Sequence, residues 1–233
     1  MRRTTWLTLF LVTGLILGGC GKDDKNPTSP EQQAESAAPQ ITFVNGPSSQ
    51  NVPPVVARPV TALSAFGDLG QTIVLAVRDT DPTQTGGSYV WVYPSGEATF
   101  TITSNLADDG AHWQVKVSGV YDGKQVANLL LLKGFSSNDG SHGWIESYDP
   151  ETGQKAARYE WNTSDNGTVH ATLEVYGDPT VKYEVVNNSD GSGSLEMYEG
   201  NVKKLEASWQ ANGSGTYIVY DDSGNVADQG QWG

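Results

Sequence analysis

Thr168-Val169-His170-Ala171-Thr172-Leu173-Glu174-Val175 alternates polar and apolar side chains, with Asp165-Asn166-Gly167 before it and Gly177-Asp178-Pro179 after it. A period of two is that of a strand with one dry and one wet face. The Asn-Gly step supplies the positive φ that a tight hairpin needs. The same pattern recurs along the chain: Trp113, Val115 and Val117 against His112, Gln114 and Lys116, then Leu205, Ala207 and Trp209 against Lys204, Glu206 and Ser208. Turn clusters such as Asp108-Asp109-Gly110, Asp122-Gly123, Asp190-Gly191 and Ser223-Gly224-Asn225 separate the runs. Twelve candidate strands follow, near 89–93, 97–104, 112–120, 124–133, 142–148, 155–162, 168–176, 180–187, 193–199, 202–210, 214–221 and 225–232. Connections this short require antiparallel neighbours, because a parallel pair needs a long crossover. The expected fold is all-β, an up-and-down antiparallel meander of about 10–12 strands over residues 89–233.

A one-sided sheet must cover its apolar face by closing into a barrel or by curling around another element. Upstream, Val60, Leu63, Phe66, Leu69, Ile73, Val74 and Val77 recur at spacings of three and four. That is a helix face, expected over 60–78 with Thr61 as N-cap after Pro59 and a stop near Asp79 to Pro82. Gly67 and Gly70 weaken a helix, and Ile73 to Val77 taken alone could form a strand, but the helix is the favoured reading. The reading is therefore barrel-like, with one N-terminal helix packed in or against the sheet. At 233 residues and 37% hydrophobic content, a single domain over 60–233 has enough apolar material for a core, and 27 Gly with 11 Pro fit a turn-rich chain.

The N-terminus carries Arg2 and Arg3, an apolar run from Trp6 to Leu17, then Gly18, Gly19 and Cys20, the sole cysteine. A charged end followed by an apolar stretch too short to span a bilayer is a secretory signal. Leu17-Gly18-Gly19-Cys20 resembles the lipobox of bacterial lipoproteins, a resemblance covering residues 1–20. It implies cleavage after residue 19, diacylation of the Cys20 thiol and acylation of its new amine, hence a membrane anchor of two or three chains. Gly21, where some Gram-negative lipoproteins carry an inner-membrane retention Asp, implies the outer membrane if the host is Gram-negative. Residues 20–59, holding seven of the 11 Pro, read as a disordered tether. Within it, Ile41 to Val44 is either a docking strand or an incidental apolar patch.

The formal charge of -13 becomes about -15 once Arg2 and Arg3 are removed. It leaves no basic footprint for nucleic acid. One Cys excludes an internal disulfide and a thiolate zinc cluster, and no cofactor is expected.

The strands also carry an internal repeat. Tyr148, Tyr176, Tyr198 and Tyr220 each end the first strand of a hairpin, Trp161, Trp209 and Trp232 close the second strand of three, and Lys155, Lys182 and Lys203 follow three turns. The series Gly143, Trp144, Tyr148, Gly153, Trp161 and again Gly215, Tyr217, Tyr220, Gly224, Trp232 loosely resembles MORN-type hairpin repeats over residues 142–233. That resemblance keeps a flatter sheet open as the alternative architecture. The tyrosine row is the candidate binding feature, an aromatic ledge at one rim, weighed against plain cross-strand pairing that only stabilises the sheet.

Catalytic motifs are sparse. No Ser has Gly both two before and two after it, as a hydrolase elbow needs. His112, His142 and His170 fall in different hairpins and read as isolated surface histidines, with His142 beside Asp139 and Ser141 the least implausible catalyst. Asp79 and Asp81, Asp108 and Asp109, and Asp221 and Asp222 lack the spaced ligands of a calcium loop. Glu146, Glu160, Glu174, Glu184, Glu196 and Glu206 read as a solvated charged face, although a carboxylate pair is what glycoside hydrolysis needs. The expected function is thus a non-catalytic binding or interaction module of the cell envelope, its partner an envelope protein, a glycan or a small apolar ligand. The alternative is a carrier holding an apolar ligand inside a β-barrel, with a hydrolase third.

Overall fold

The computed structural model describes residues 30–48, 51–78 and 80–233. Cys20 and the signal segment lie outside the described residues, as do the bounds of the anchor. Among the described residues two helices, α1 (Pro30–Ala37) and α2 (Pro54–Arg78), precede thirteen strands in one antiparallel sheet. These are β1 (Thr83–Thr85), β2 (Ser88–Ser95), β3 (Ala98–Ala107), β4 (Gly110–Tyr121), β5 (Lys124–Ser137), β6 (His142–Tyr148) and β7 (Lys155–Thr163). β8 (Val169–Val175), β9 (Val181–Asn187), β10 (Gly193–Glu199), β11 (Val202–Trp209), β12 (Gly215–Tyr220) and β13 (Val226–Trp232) complete it. Each strand pairs only with its neighbours in sequence, so the meander is continuous and the sheet is not closed, β1 and β13 being its edges. The twelve expected strands are all present, and β1 is an addition too short to show alternation.

The turns explain the regularity. In four hairpins the same five-residue turn recurs: Ser164, Asn188, Gln210 and Asp221 each donate an amide to the carbonyl four residues on and accept one from the glycine three residues on. In the first three, the residue before that glycine, Asn166, Asp190 or Asn212, takes the amide two residues ahead on its side-chain oxygen. Gly191 sits at φ +87°, a backbone region that side chains with a Cβ rarely enter. The acidic turns are thus local hydrogen-bonding devices.

The dry face is one continuous core. Trp91, Ile102, Val115, Ile145, Leu173, Leu195 and Leu205, each at most 4% exposed, belong to a single buried cluster with Leu63, Ile73 and Val77 of α2. α2 runs across the strands. Its first turns, with Pro54 and Arg58, lie beside β10–β12, Phe66 reaches Tyr159 of β7, and Ile73 and Ala76 face β3–β5. By length and hydropathy α2 could cross a bilayer, but its Val56, Leu63, Ile73, Ala76 and Val77 are buried.

The elements before the sheet differ most from expectation. α2 begins at Pro54 instead of residue 60, with Pro54 suited to a first helical position. Pro59 lies inside it, where the missing N–H costs one intrahelical bond near the start. Thr61 is consequently not a cap, and its hydroxyl donates to the Ala57 carbonyl at 2.9 Å. Residues 30–48, expected within a disordered tether, include α1 and an irregular segment docked on the sheet: Ala37 is fully buried, Val44 is 7% exposed, and Phe43 stacks on Tyr159 at 5.6 Å. Ile41 to Val44 docks without forming a strand. The two glycines that weaken a helix by sequence have a packing reason, since the ring of Phe43 lies against Gly67 and over Gly70, where a Cβ would overlap it.

Candidate functional site

The tyrosine row stands where the topology puts it. β6, β8, β10 and β12 all run in one direction, so Tyr148, Tyr176, Tyr198 and Tyr220 collect at one end of the wet face. Each hydroxyl donates to a glutamate: Tyr148 to Glu146 at 2.9 Å, Tyr176 to Glu174 at 3.3 Å, Tyr198 to Glu196, and Tyr220 to Glu206 at 3.3 Å. Lysines lie over two of the rings, Lys133 at 5.7 Å from the Tyr148 centroid and Lys182 at 4.8 Å from that of Tyr198. These rings are engaged in a lattice of Glu, Lys and Tyr, which accounts for the repeat as cross-strand stabilisation.

Glu146 is the strongest knot of that lattice. It is 5% exposed and accepts from Lys155 at 2.5 Å, Arg158 at 2.6 Å and Tyr148. Burial is the largest single influence and pushes its pKa up, but the hydrogen bonds from Lys155, Tyr148 and Arg158 together bring it below the usual carboxylate value. Burial and then the Glu146 partner push the Tyr148 phenol up to about 12. Glu196 is also held low, first by Lys203, then by Tyr198. The expectation of six equally solvated glutamates therefore holds poorly for Glu146. Tyr148 reaches it along the same strand, whereas Arg158 and Lys155 reach it through pairing with β7, Arg158 sitting directly across from it.

The other half of the wet face forms an open trough of about 760 Å³ crossing β4–β10. Register builds it from two adjacent rows. One runs His112, Phe135, Trp144, Glu160, Thr172, Glu184, Glu196 across successive strands, and the other runs His142, Asn162, His170, Val186, Ser194. All three histidines of the chain thus line one cavity, although the sequence scatters them over separate hairpins. Phe135, 8% exposed, lies between the His112 ring at 4.8 Å and the His142 ring at 5.8 Å. Trp144 is backed by the Arg158 guanidinium at 4.8 Å. Carboxylates outnumber cations around the trough, with Asp109, Glu160, Glu184 and Glu196 in its lining. Sequence reasoning missed this site because the signal lies in strand pairing and not in any local motif.

Ser141 Oγ donates to Asp139 at 2.7 Å and lies 3.3 Å from His142 Nδ1. A triad needs the carboxylate on the histidine and the histidine on the hydroxyl; here the carboxylate accepts the hydroxyl's hydrogen bond itself. Asp139 is brought down to about 2, first by the Ser141 hydroxyl, then by the Ser141 amide and the Ser137 hydroxyl. The shifted carboxyls Asp139, Glu146, Asp149, Asp190, Glu196 and Asp221 all move downward, the opposite of what a general acid requires. Among the described residues no group of His, Cys, Asp and Glu is placed to hold a metal ion. No protein-family model and no curated protein matches the chain.

Proposed function

We propose that the protein is a non-catalytic binding module of the cell envelope, anchored through acylated Cys20, whose wet-face trough takes a neutral glycan. The observation that carries this is the trough itself: an open cleft of about 760 Å³ that combines Phe135 and Trp144 with hydrogen-bonding His, Asn, Thr and Ser side chains. Ligand sites of this size join apolar or aromatic walls to a few placed polar groups. A sugar presents both an apolar ring face and hydroxyls, and so matches that lining. No lysine or arginine lines the trough to attract an anionic ligand, and Glu160, Glu184 and Glu196 are already paired with Arg158, Lys182 and Lys203, so an uncharged ligand bearing hydroxyls fits it better. An open, elongated cleft on a rigid sheet suits a chain of sugars more than a single small molecule.

The test is titration of the purified protein with a panel of neutral oligosaccharides, followed by tryptophan fluorescence. Trp144→Ala is expected to weaken the best ligand tenfold or more, about 1.4 kcal/mol, with little change in melting temperature. If no neutral oligosaccharide binds, or if Trp144→Ala binds equally well, the glycan reading fails.

The anchoring part of the proposal rests on the lipobox-like Leu17-Gly18-Gly19-Cys20. Cys20→Ser removes the acyl acceptor and should move the protein from the membrane fraction to the soluble one, since no other lipid chain would hold it. Retention of the Cys20→Ser protein in the membrane fraction would overturn lipid anchoring and leave the trough untouched.

A further inference from the structure

A second cavity lies on the opposite face of the sheet, under the C-terminal half of α2. It measures about 290 Å³ and is walled by Ile73 and Ala76 of the helix and by Phe100, Ile102, Val115 and Leu132 of β3–β5. Close-packed interiors leave few voids larger than a water molecule, and even an apolar void near 150 Å³ stays dry and admits apolar guests. At roughly 30 Å³ per water-sized group, this one has room for about ten such groups. It is too large to be a packing fault and too apolar to be filled well by water.

Tyr121, Ser147, Tyr148 and Pro150 also line the cavity. Tyr121 and Pro150 also line an adjoining cleft of about 320 Å³ with Asp122, Lys124 and Glu151. An apolar chamber thus continues into a polar vestibule, the plan of a site for a molecule with one tail and one head. The vestibule's charge selects the head. Lys124 is already paired with Glu151 at 2.5 Å and is flanked by Asp122 and Asp149, so carboxylates outnumber the ammonium three to one. A free carboxylate entering there meets net repulsion, whereas hydroxyls can bond to Tyr121 or to the carboxylates. On α2 the exposed Val74 and Leu75 share a turn with Ile73 and Ala76, so apolar surface continues outward from the helix wall.

We infer that this cavity is a binding site for a single-chain lipid with an uncharged polar head, of the monoacylglycerol class. It is separate from the trough, being built on the dry face and sharing none of the trough's lining residues. The tail lies between α2 and β3–β5, and the head rests in the cleft between the β4–β5 turn and the β6–β7 turn.

The experiment uses the full chain carrying Cys20→Ser, purified without detergent, titrated calorimetrically with 1-lauroylglycerol below its aggregation threshold and, separately, with laurate. Saturable binding of one 1-lauroylglycerol per chain is expected, with laurate at least tenfold weaker. Ala76→Phe fills the chamber and should reduce binding tenfold or more. Because Ala76 is buried and its replacement can disturb folding, Thr72→Trp at the exposed rim provides an independent block, read alongside far-ultraviolet circular dichroism. Absence of saturable binding, binding undiminished in Thr72→Trp, or equal affinity for laurate would each overturn the inference.

Discussion

Tyr159→Ala is expected to cost about 4 kcal/mol of folding stability, within the range seen for large aromatic residues cut to alanine in a core. Tyr159 is 1% exposed and sits on β7, the middle strand of the thirteen. Three parts of the molecule meet on its ring: Phe43 of the docked N-terminal segment at 5.6 Å, Phe66 of α2 at 5.8 Å and Trp161 of the same strand at 6.0 Å. Its hydroxyl donates to the Thr42 carbonyl at 3.0 Å, and burial raises its phenol pKa, so the proton stays in place. Alanine therefore opens a cavity, removes three ring contacts and leaves a carbonyl without its donor. Tyr159→Phe isolates the last of these and should cost about 1–2 kcal/mol. Guanidinium unfolding followed by tryptophan fluorescence measures both. A further consequence is local: without the ring, residues 38–48 lose their main seat, and limited proteolysis should cut there before the sheet unfolds. A Tyr159→Ala protein within about 1 kcal/mol of the parent would mean that the helix and the N-terminal segment are not held through this residue.

The strands were legible because most hairpins state their rule twice, in the alternation along the strand and in a glycine-containing turn, Asp190-Gly191 or Asn166-Gly167 for example. β10 is expected and found over the same residues, Gly193–Glu199, and Trp113, Val115 and Val117 lie on the dry face with His112 on the wet one. The start of α2 was less legible. Pro59 argues locally for a boundary, and only packing of Val56 against the core shows why the helix begins earlier. Gly67 and Gly70 mislead for a related reason, since what they accommodate, Phe43, is more than twenty residues away in sequence. The trough was not legible at all. His112, His142 and His170 have no common local spacing, and their convergence depends on strand register, which a bulge of one residue changes. The tyrosine row was legible as a row but not as a lattice. The Glu two residues before three of the four tyrosines was present in the sequence as Glu146, Glu174 and Glu196, and its pairing with the hydroxyl is the signal that connects the row into that lattice.

Gly143→Ala should cost about 3 kcal/mol, although alanine in an extended strand is ordinarily no worse than glycine. The reason is a repeated rung on the dry face, in which a tryptophan lies flat over the glycine paired with it on the neighbouring strand: Trp113 over Gly134, Trp161 over Gly143, Trp209 over Gly193 and Trp232 over Gly215. A Cβ on Gly143 would overlap both the Trp161 indole and the Phe135 carbonyl oxygen, so side-chain and backbone must both give way. Gly134 differs in one respect that makes a sharp test, because the three atoms a Cβ there would meet first all belong to the ring of Trp113. Gly134→Ala alone is expected to cost about 2 kcal/mol, but in a Trp113→Val background, where the indole is gone, it should be neutral or slightly stabilising because alanine restricts the unfolded chain more than glycine does. The coupling in this double-mutant cycle is then about 2 kcal/mol. The corresponding cycle of Gly143→Ala with Trp161→Val should recover only part of the loss, because the carbonyl overlap remains. Additivity within about 0.5 kcal/mol at both sites, measured by denaturant unfolding, would show that the glycines are not there to make room for the rings. Full rescue at Gly143 would show that the strands part there more readily than the rung geometry allows.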